Sequence, residues 1–548
     1  MTALLNRLLD TGRPLLLIAF VVGLGTLPAF FSLPPSDRDE SRFAQATKQM
    51  LETGDFVAIR FLDTARNKKP VGIHWAQAAS VELVGAARAA LGLPRVPENP
   101  IWPYRLPSLL GLYIAAAATF LLGQALVGRR AALLAAMMLA SSLVAVVEAH
   151  IAKTDSLLTA SIAVAMLLLG RAYLRPEAFS ARAAAGFWLA LGVGILLKGP
   201  IAPMAALLAV VVLAVADRRV AWLKPLRAQW GVPLMLAVVA PWFILIGIQT
   251  GGDFFRDAIG GDLGSKLQGA DERHGGLPGY HLLLATLTLF PASLLLWRAL
   301  PAIWAQKAAP VSRFLLAWII PTWLVFEIAP TKLPHYVLPT FPAILLLLAA
   351  WVLDEGRKLP PRWLAILGTA VWGVVIAGFV VLGPLAGILA ERTFDPVWLL
   401  APLVAIALAW LVRALLLAGE IPGVALAGIL FGPALFGLVL GATLSRLDAI
   451  WLAPRVAQAV AASGGGPLAS AGFHEPSLPF LLGTNTQLVR DGAEAAAFLA
   501  ATQGGRTLVR ERDLPAFLAA RPDARRLAEI AGFNYSRGQR VRLFLYGD

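Results

Sequence analysis

Not one of the 548 residues is cysteine, which excludes disulfides, thiolate metal sites and cysteine nucleophiles. Charge is scarce as well. Asp, Glu, Lys and Arg make up 15% of the chain against 58% apolar residues, and the mean hydropathy is +0.71. A soluble chain of this length exposes more polar surface than such a composition supplies. There is no sustained apolar/polar alternation, so a membrane β-barrel is set aside. No small-residue cleavage site follows the first apolar run, which therefore reads as an uncleaved first helix. The formal charge of +14 comes without a basic arm or an aromatic platform, which argues against nucleic acid as a partner. Membrane lipid fits it better, because much of the charge lies in short loops.

What the chain does have is a series of apolar runs of about 18 to 25 residues, the length a helix needs to cross hydrocarbon. They begin near residues 14, 105, 131, 155, 186, 201, 231, 281, 314, 337, 363, 397 and 421, which predicts about 13 membrane-spanning helices. Loops holding Arg129 and Arg130, Arg171 and Arg175, and residues 218–227, 298–313 and 357–362 are rich in Arg and Lys. They fall on one side of the count, which the positive-inside rule makes the cytoplasm. The N-terminus is then cytoplasmic and the C-terminal tail lies outside. The expected organisation is a membrane domain over 1–445, with outer loops at about 34–104 and 249–280, and an outer domain over 446–548. The first loop holds two stretches with helical apolar spacing, read as interfacial helices. The tail alternates short apolar runs with Ala-rich helical stretches, read as a small α/β domain.

Ionisable groups near membrane depth are costly and tend to be functional. "SDRDESRFAQATKQM" crowds Asp37, Arg38, Asp39, Glu40 and Arg42 at the exit of the first apolar run. "EAHIAKTDSLLTASI" brings Glu148, His150, Lys153 and Asp155 to one outer turn, "GILLKGPIAP" places Lys198, and "VFEIAPTKLPHYVLPTFP" places Glu327, Lys332, His335 and Tyr336. The ordinary reading of such lysines is a stem along lipid with its ammonium in the headgroups. The ordinary reading of Asp37 is a helix N-cap. Asp39 and Asp155 together would put two carboxylates at one membrane surface, as group transfer requires for base or cation-stabilising work. Lys68 and Lys69, ahead of a proline, suit a lipid phosphate.

Taken in order, "RDESRFAQATKQMLETGDF", "NKKPVGIHWAQA", "KTDSLL", "LLKGPI" and "TKLPHYVLP" resemble the aminoarabinose-transferase family of lipid A modification. That family belongs to the GT-C superfamily of polyprenyl-phosphate-sugar glycosyltransferases and is related to the protein O-mannosyltransferases. The motifs span the first two-thirds of the chain, and "GFHEPSLPFLLGT" in the tail is similar to the family's periplasmic domain. The resemblance implies a polytopic α-helical protein of the inner membrane with periplasmic interfacial helices. It implies transfer of a sugar, aminoarabinose in the family, from a polyprenyl-phosphate donor to lipid A or another envelope glycan or protein. It also implies that Asp39 and Asp155 are the catalytic acids. Lys69, Tyr336, Lys332, Arg273 and Arg42 are then substrate-binding residues, and His274 is a metal-associated histidine. Where the family often has Glu before the Lys-Pro pair, this chain has Lys68, which leaves two alternatives, a divalent metal held without that acid and a metal-free electrostatic mechanism. A protein O-mannosyltransferase-like enzyme is the neighbouring reading. A transporter is the reading from another class, and no internal repeat of the kind transporters show is evident.

Overall fold

The structure is a computed structural model that describes residues 1–94, 100–263 and 276–547. Its larger part is a helical bundle whose apolar runs fold close to their predicted starts. Among the described residues, eight helices are long and apolar enough to cross a membrane, from Trp102–Val127 to Ile421–Arg446. A ninth span forms if Arg129–Ala140 and Leu143–Ala149, bent by 61°, are taken together. This corrects the expected count of about 13. Four of the runs fold into shorter apolar helices, of 17 residues or fewer, which are not counted among these spans. These are Pro14–Phe30, Ile201–Asp217, Ser293–Ala305 and Leu338–Leu353. The run near residue 281 is cut at Phe290-Pro291 into Tyr280–Thr288 and Ser293–Ala305, because proline cannot continue the backbone ladder.

Helix Asp155–Leu174 is the most enclosed of the spans, with 78% of its apolar window buried. It packs closely against Trp102–Val127 because Gly111 faces the Ser156–Leu157 backbone; a Cβ there would sit 2.7 Å from Leu157 N. Small residues at such crossings let two helix backbones approach. The N-terminal end of this central helix is thereby fixed where the outer loop meets the bundle. That loop forms two helices, Asp39–Thr53 and Gly72–Ala90, joined through a short hairpin of Arg60–Phe61 with Thr64–Ala65. Two helices were expected there.

At the other end of the bundle, the Arg129 guanidinium donates to Leu9 O at 2.8 Å and Arg130 pairs with Asp10 at 3.3 Å. Tyr173 and Arg313 converge on Asp217. Three arginine-rich loops thus meet at Asp217, and that of Arg129 and Arg130 is tied to the N-terminal segment, on the face away from the outer loop.

The tail folds as the small α/β unit read from its pattern. Its five strands lie in the order Gln487–Val489, Leu468–Ala471, Arg506–Arg510, Gln539–Gly547, Arg525–Asn534. The first three are parallel and the last two join antiparallel. Helices Gly492–Ala501 and Leu514–Ala520 occupy the Ala-rich stretches. Phe480 is fully buried in a cluster with Ala44, Ile101, Tyr104 and Ala152, so the tail packs onto the outer end of the bundle.

Candidate active site

Both candidate acids begin a helix. Asp39 is the first residue of Asp39–Thr53 and Asp155 the first of Asp155–Leu174, where the unsatisfied N–H groups and the helix dipole favour a negative charge. Around Asp155 the side chains are buried and paired. Lys198 Nζ lies 2.5 Å from Oδ1, Lys153 Nζ lies 3.8 Å from Oδ2, and His335 Nε2 lies 3.7 Å from Oδ1. Lys153 also pairs with Glu148 at 3.0 Å, and His335 Nδ1 lies 3.4 Å from the same carboxylate. Burial drives the His335 pKa down to about 3, with Lys153, Lys198 and Lys69 adding to the fall against Asp155. Burial thus favours the neutral imidazole. Burial also disfavours the charged form of Lys153, but Glu148 and Asp155 outweigh it and hold the ammonium above its ordinary pKa.

Asp39 is the accessible acid, with its side chain 49% exposed and Arg66 at 3.9 Å. Partial desolvation raises its pKa, but Lys69, Arg66 and Lys153 together outweigh it, so the carboxyl stays below its ordinary value. Arg66 and Lys69 both lie against the Phe43 ring, their cationic heads 4.4 and 5.0 Å from its centroid, a geometry that holds cations without neutralising them. Burial, with Lys198 and Arg66 nearby, lowers Lys69 to about 8 despite Asp39 and Asp155. Lys198 in turn lies 5.1 Å from the Tyr336 ring. Four basic groups, Arg66, Lys69, Lys153 and Lys198, thus meet three acids, Asp39, Glu148 and Asp155.

The structure brings Asp39, Asp155, Lys69 and Tyr336 into this one cluster. Lys332 stands apart; its Nζ donates to Gly276 O at 2.9 Å. Arg42 is half-buried on helix Asp39–Thr53 and belongs to none of the pairs above. Arg273 and His274 lie outside the described residues. Arg66 was missed in the sequence, where it reads as one more charge in a basic stretch. Lys153, Lys198 and His335 were noticed there without roles, since nothing along the chain says which turn each will meet.

Asp37 is not the helix cap. The cap position is Arg38, at φ 70° with no side-chain cap bond. The Asp37 carboxylate instead accepts from Ser477 Oγ in the tail, and its backbone N–H donates to Tyr535 Oη at 2.6 Å. Arg38 donates to Ser536 O at 2.7 Å. Tail contacts reaching across the fold have replaced the local cap.

The described residues around Asp39 do not fit a divalent ion. A hard cation needs several oxygen ligands, and Asp39 has Arg66 and Lys69 beside it in place of further acids, with exposed Lys68 next in the chain. Among the described residues no three His, Asp or Glu side chains converge as a ligand set.

Residues 68–245 match the family model described as dolichyl-phosphate-mannose-protein mannosyltransferase. The chain is 29% identical over 367 residues to the undecaprenyl phosphate-alpha-4-amino-4-deoxy-L-arabinose arabinosyl transferase of Pectobacterium carotovorum subsp. carotovorum, covering 65% of this chain and 62% of that one. It is 27% identical over 388 residues to the corresponding transferase of Yersinia pestis, covering 68% and 65%. The matched region thus spans less than two-thirds of those relatives. Its fold aligns with the crystal structure of ArnT from Cupriavidus metallidurans bound to undecaprenyl phosphate at a TM-score of 0.74 and 20% identity, over 98% of both chains. The Archaeoglobus fulgidus oligosaccharyltransferase shares the fold more distantly, with a TM-score of 0.51. By its relatives and its fold, the chain is a multi-pass membrane protein similar to the undecaprenyl phosphate-aminoarabinose arabinosyl transferases.

Proposed function

We propose that the protein transfers a sugar from a polyprenyl-phosphate donor to lipid A at the periplasmic face of the inner membrane, with aminoarabinose as the sugar. One observation carries the reading: two helix-initiating aspartates stand among four cations at a single end of the bundle. A polyprenyl-phosphate leaving group gains negative charge as the sugar departs, and fixed cations in a poorly hydrated site stabilise that charge. Lys69 and Arg66 supply it from the loop, Lys198 and Tyr336 from the bundle. Asp39, accessible and ionised, accepts the acceptor's proton if the acceptor is a hydroxyl. For a phosphate acceptor it stabilises positive character at the sugar instead. Asp155 keeps Lys153 and Lys198 in place. Direct displacement of this kind inverts the anomeric centre.

The membrane domain is taken as 1–445 and the outer domain as 446–548. The arginine-tied face is cytoplasmic under the positive-inside rule, which puts the N-terminus inside and the tail in the periplasm. Transfer of labelled sugar from undecaprenyl-phosphate-aminoarabinose to lipid A by the purified chain tests the reading. Mass spectrometry of lipid A from a deletion strain tests it in the cell. The match of residues 68–245 to the mannosyltransferase model favours a protein acceptor as the second reading. In that case the lost sugar appears on envelope proteins of the same strain and lipid A is unchanged.

A further inference from the structure

The mechanism above uses Asp39 but leaves its neighbour unexplained. Glu40 is 1% exposed and Arg105 0% exposed, and the two form a two-pronged ion pair through Arg105 Nε at 2.8 Å and Nη2 at 3.0 Å. A buried ion pair is weak evidence for stability, because desolvation cancels much of the attraction; its best-attested use is to specify one geometry. Here it fixes three segments of the chain at one point. Arg105 donates to Leu33 O at 2.8 Å and Pro34 O at 3.0 Å, past the end of the first apolar helix. The Glu40 carboxylate accepts from the Ser36 N–H at 2.7 Å, and from the Ala152 N–H at 3.0 Å across the fold. Ala152 stands three residues before Asp155.

The same short turn is gripped elsewhere. Gln77 Nε2 donates to Ala152 O at 3.0 Å, and Thr47 orients Gln77 at 2.7 Å. Ser108 Oγ donates to Ile151 O at 2.7 Å and Lys153 O at 3.2 Å. Both peptide groups of residue 152 are therefore held by side chains of the two outer-loop helices. One of those helices begins with Asp39.

We infer that Glu40 and Arg105 are positioning residues that fix the helix start bearing Asp39 against the turn bearing Lys153 and Asp155. The inference rests on the proposed transfer reaction. Carboxylates and cations on separate elements work together only if their separation is set, and a misplacement of about 1 Å costs on the order of a hundredfold in rate. The phosphate-facing pair of Arg66 and Lys69 is carried by a different stretch of chain. Loss of Glu40 is thus expected to separate turnover from donor binding.

The test uses the full-length chain in lipid nanodiscs. Glu40→Gln removes the charge, Glu40→Asp keeps Arg105 paired but is too short to reach Ala152 as well, and Gln77→Leu releases the other side of that peptide without touching a charge. Three quantities are read for each: kcat for sugar transfer, affinity for undecaprenyl phosphate, and hydrogen exchange of the 150–155 amides. The expected result is a fall in kcat of about a hundredfold for Glu40→Gln and about tenfold for the other two. Undecaprenyl phosphate affinity should change less than about threefold, and protection of the Ala152 amide should be lost in both Glu40 variants. A folded Glu40→Asp with wild-type kcat overturns the inference, and so does a parallel fall of kcat and affinity. Wild-type protein that transfers no sugar overturns the proposed function instead, and the exchange data then still decide whether Glu40 holds the turn.

Discussion

Lys198 ends helix Ala181–Lys198, and its ammonium lies 2.5 Å from the carboxylate of Asp155, which begins helix Asp155–Leu174. Each charge sits at the helix end whose dipole favours it, and neither helix alone would place the pair. Lys198→Met is expected to lower transfer by about a hundredfold, because it removes a cation from the leaving-group side of the site. It should also destabilise the protein by about 3 kcal/mol, the usual cost of breaking a buried pair. Kinetics with labelled donor and denaturation of the same preparation check both. Unchanged transfer would leave Lys198 as packing only.

The two acids have separable consequences. Asp155→Asn leaves Lys153 and Lys198 crowded without their shared partner, so both donor affinity and turnover should fall. Asp39 is half-exposed and pairs only loosely with Arg66 at 3.9 Å, so Asp39→Asn should lower kcat by about a hundredfold or more and leave donor affinity nearly intact. Steady-state kinetics with varied donor concentration resolves the two patterns.

Those residues were legible in the sequence because charge at the end of an apolar run is conspicuous. Their partners were not, because pairing is decided across the bundle. Lys198 read equally well as a lysine reaching headgroups until Asp155 was found beside it, and Glu40 read as one of five charges until Arg105 was found across the fold. The cap assigned to Asp37 failed for the same reason: Ser477 and Tyr535 approach from a domain more than 400 residues away. Helix starts were visible from the apolar pattern. Helix lengths were not, since runs such as that near residue 281 contain prolines that end a helix inside an unbroken apolar stretch.

Lys69 gives the reaction a pH dependence whose sign follows from its environment. Its pKa is lowered to about 8 by burial and by Lys198 and Arg66, so the ammonium is present below that pH and lost above it. Affinity for undecaprenyl phosphate should therefore weaken as pH rises through about 8 in the free enzyme. Lys69→Arg should remove this dependence, because a guanidinium keeps its charge. Binding isotherms at pH 6, 7, 8 and 9 (the roughly relevant range about Lys69) check the pair. A wild-type affinity that is flat across the range would mean that Lys69 does not meet the phosphate.

Metal removal should have little effect. Asp39 is bordered by Arg66 and Lys69, and Lys68 stands where relatives were expected to carry an acid, so a dication would enter a site already rich in positive charge. Activity after exhaustive chelation is expected to stay within about twofold of untreated enzyme, near the limit of resolving a kinetic difference. Lys68→Glu should create sensitivity to added divalent ions by supplying a second carboxylate. Loss of wild-type transfer on chelation, restored by one metal, would show that residues beyond those described complete a ligand set.

Asp37 couples the tail to the site in a way that pH can read. Burial raises its pKa to about 7, with Glu475 adding to the rise against the hydrogen bond from Ser477. A carboxyl whose folded pKa lies above its unfolded value of 3.8 contributes stability that is fully present below the unfolded value. That stability is lost as pH rises through the folded one. Docking of the tail on residues 37 and 38 should thus loosen between about pH 4 and pH 7. Asp37→Asn keeps an acceptor for Ser477 and carries no charge, so it should flatten this dependence while leaving transfer near wild type. Hydrogen exchange of residues 475–482 and 534–537 across the pH range, in wild type and variant, gives the measurement. If exchange in the wild type is independent of pH, or if Asp37→Asn abolishes transfer, then Asp37 works in the reaction or is ionised at the interface, and the tail is held by its other contacts.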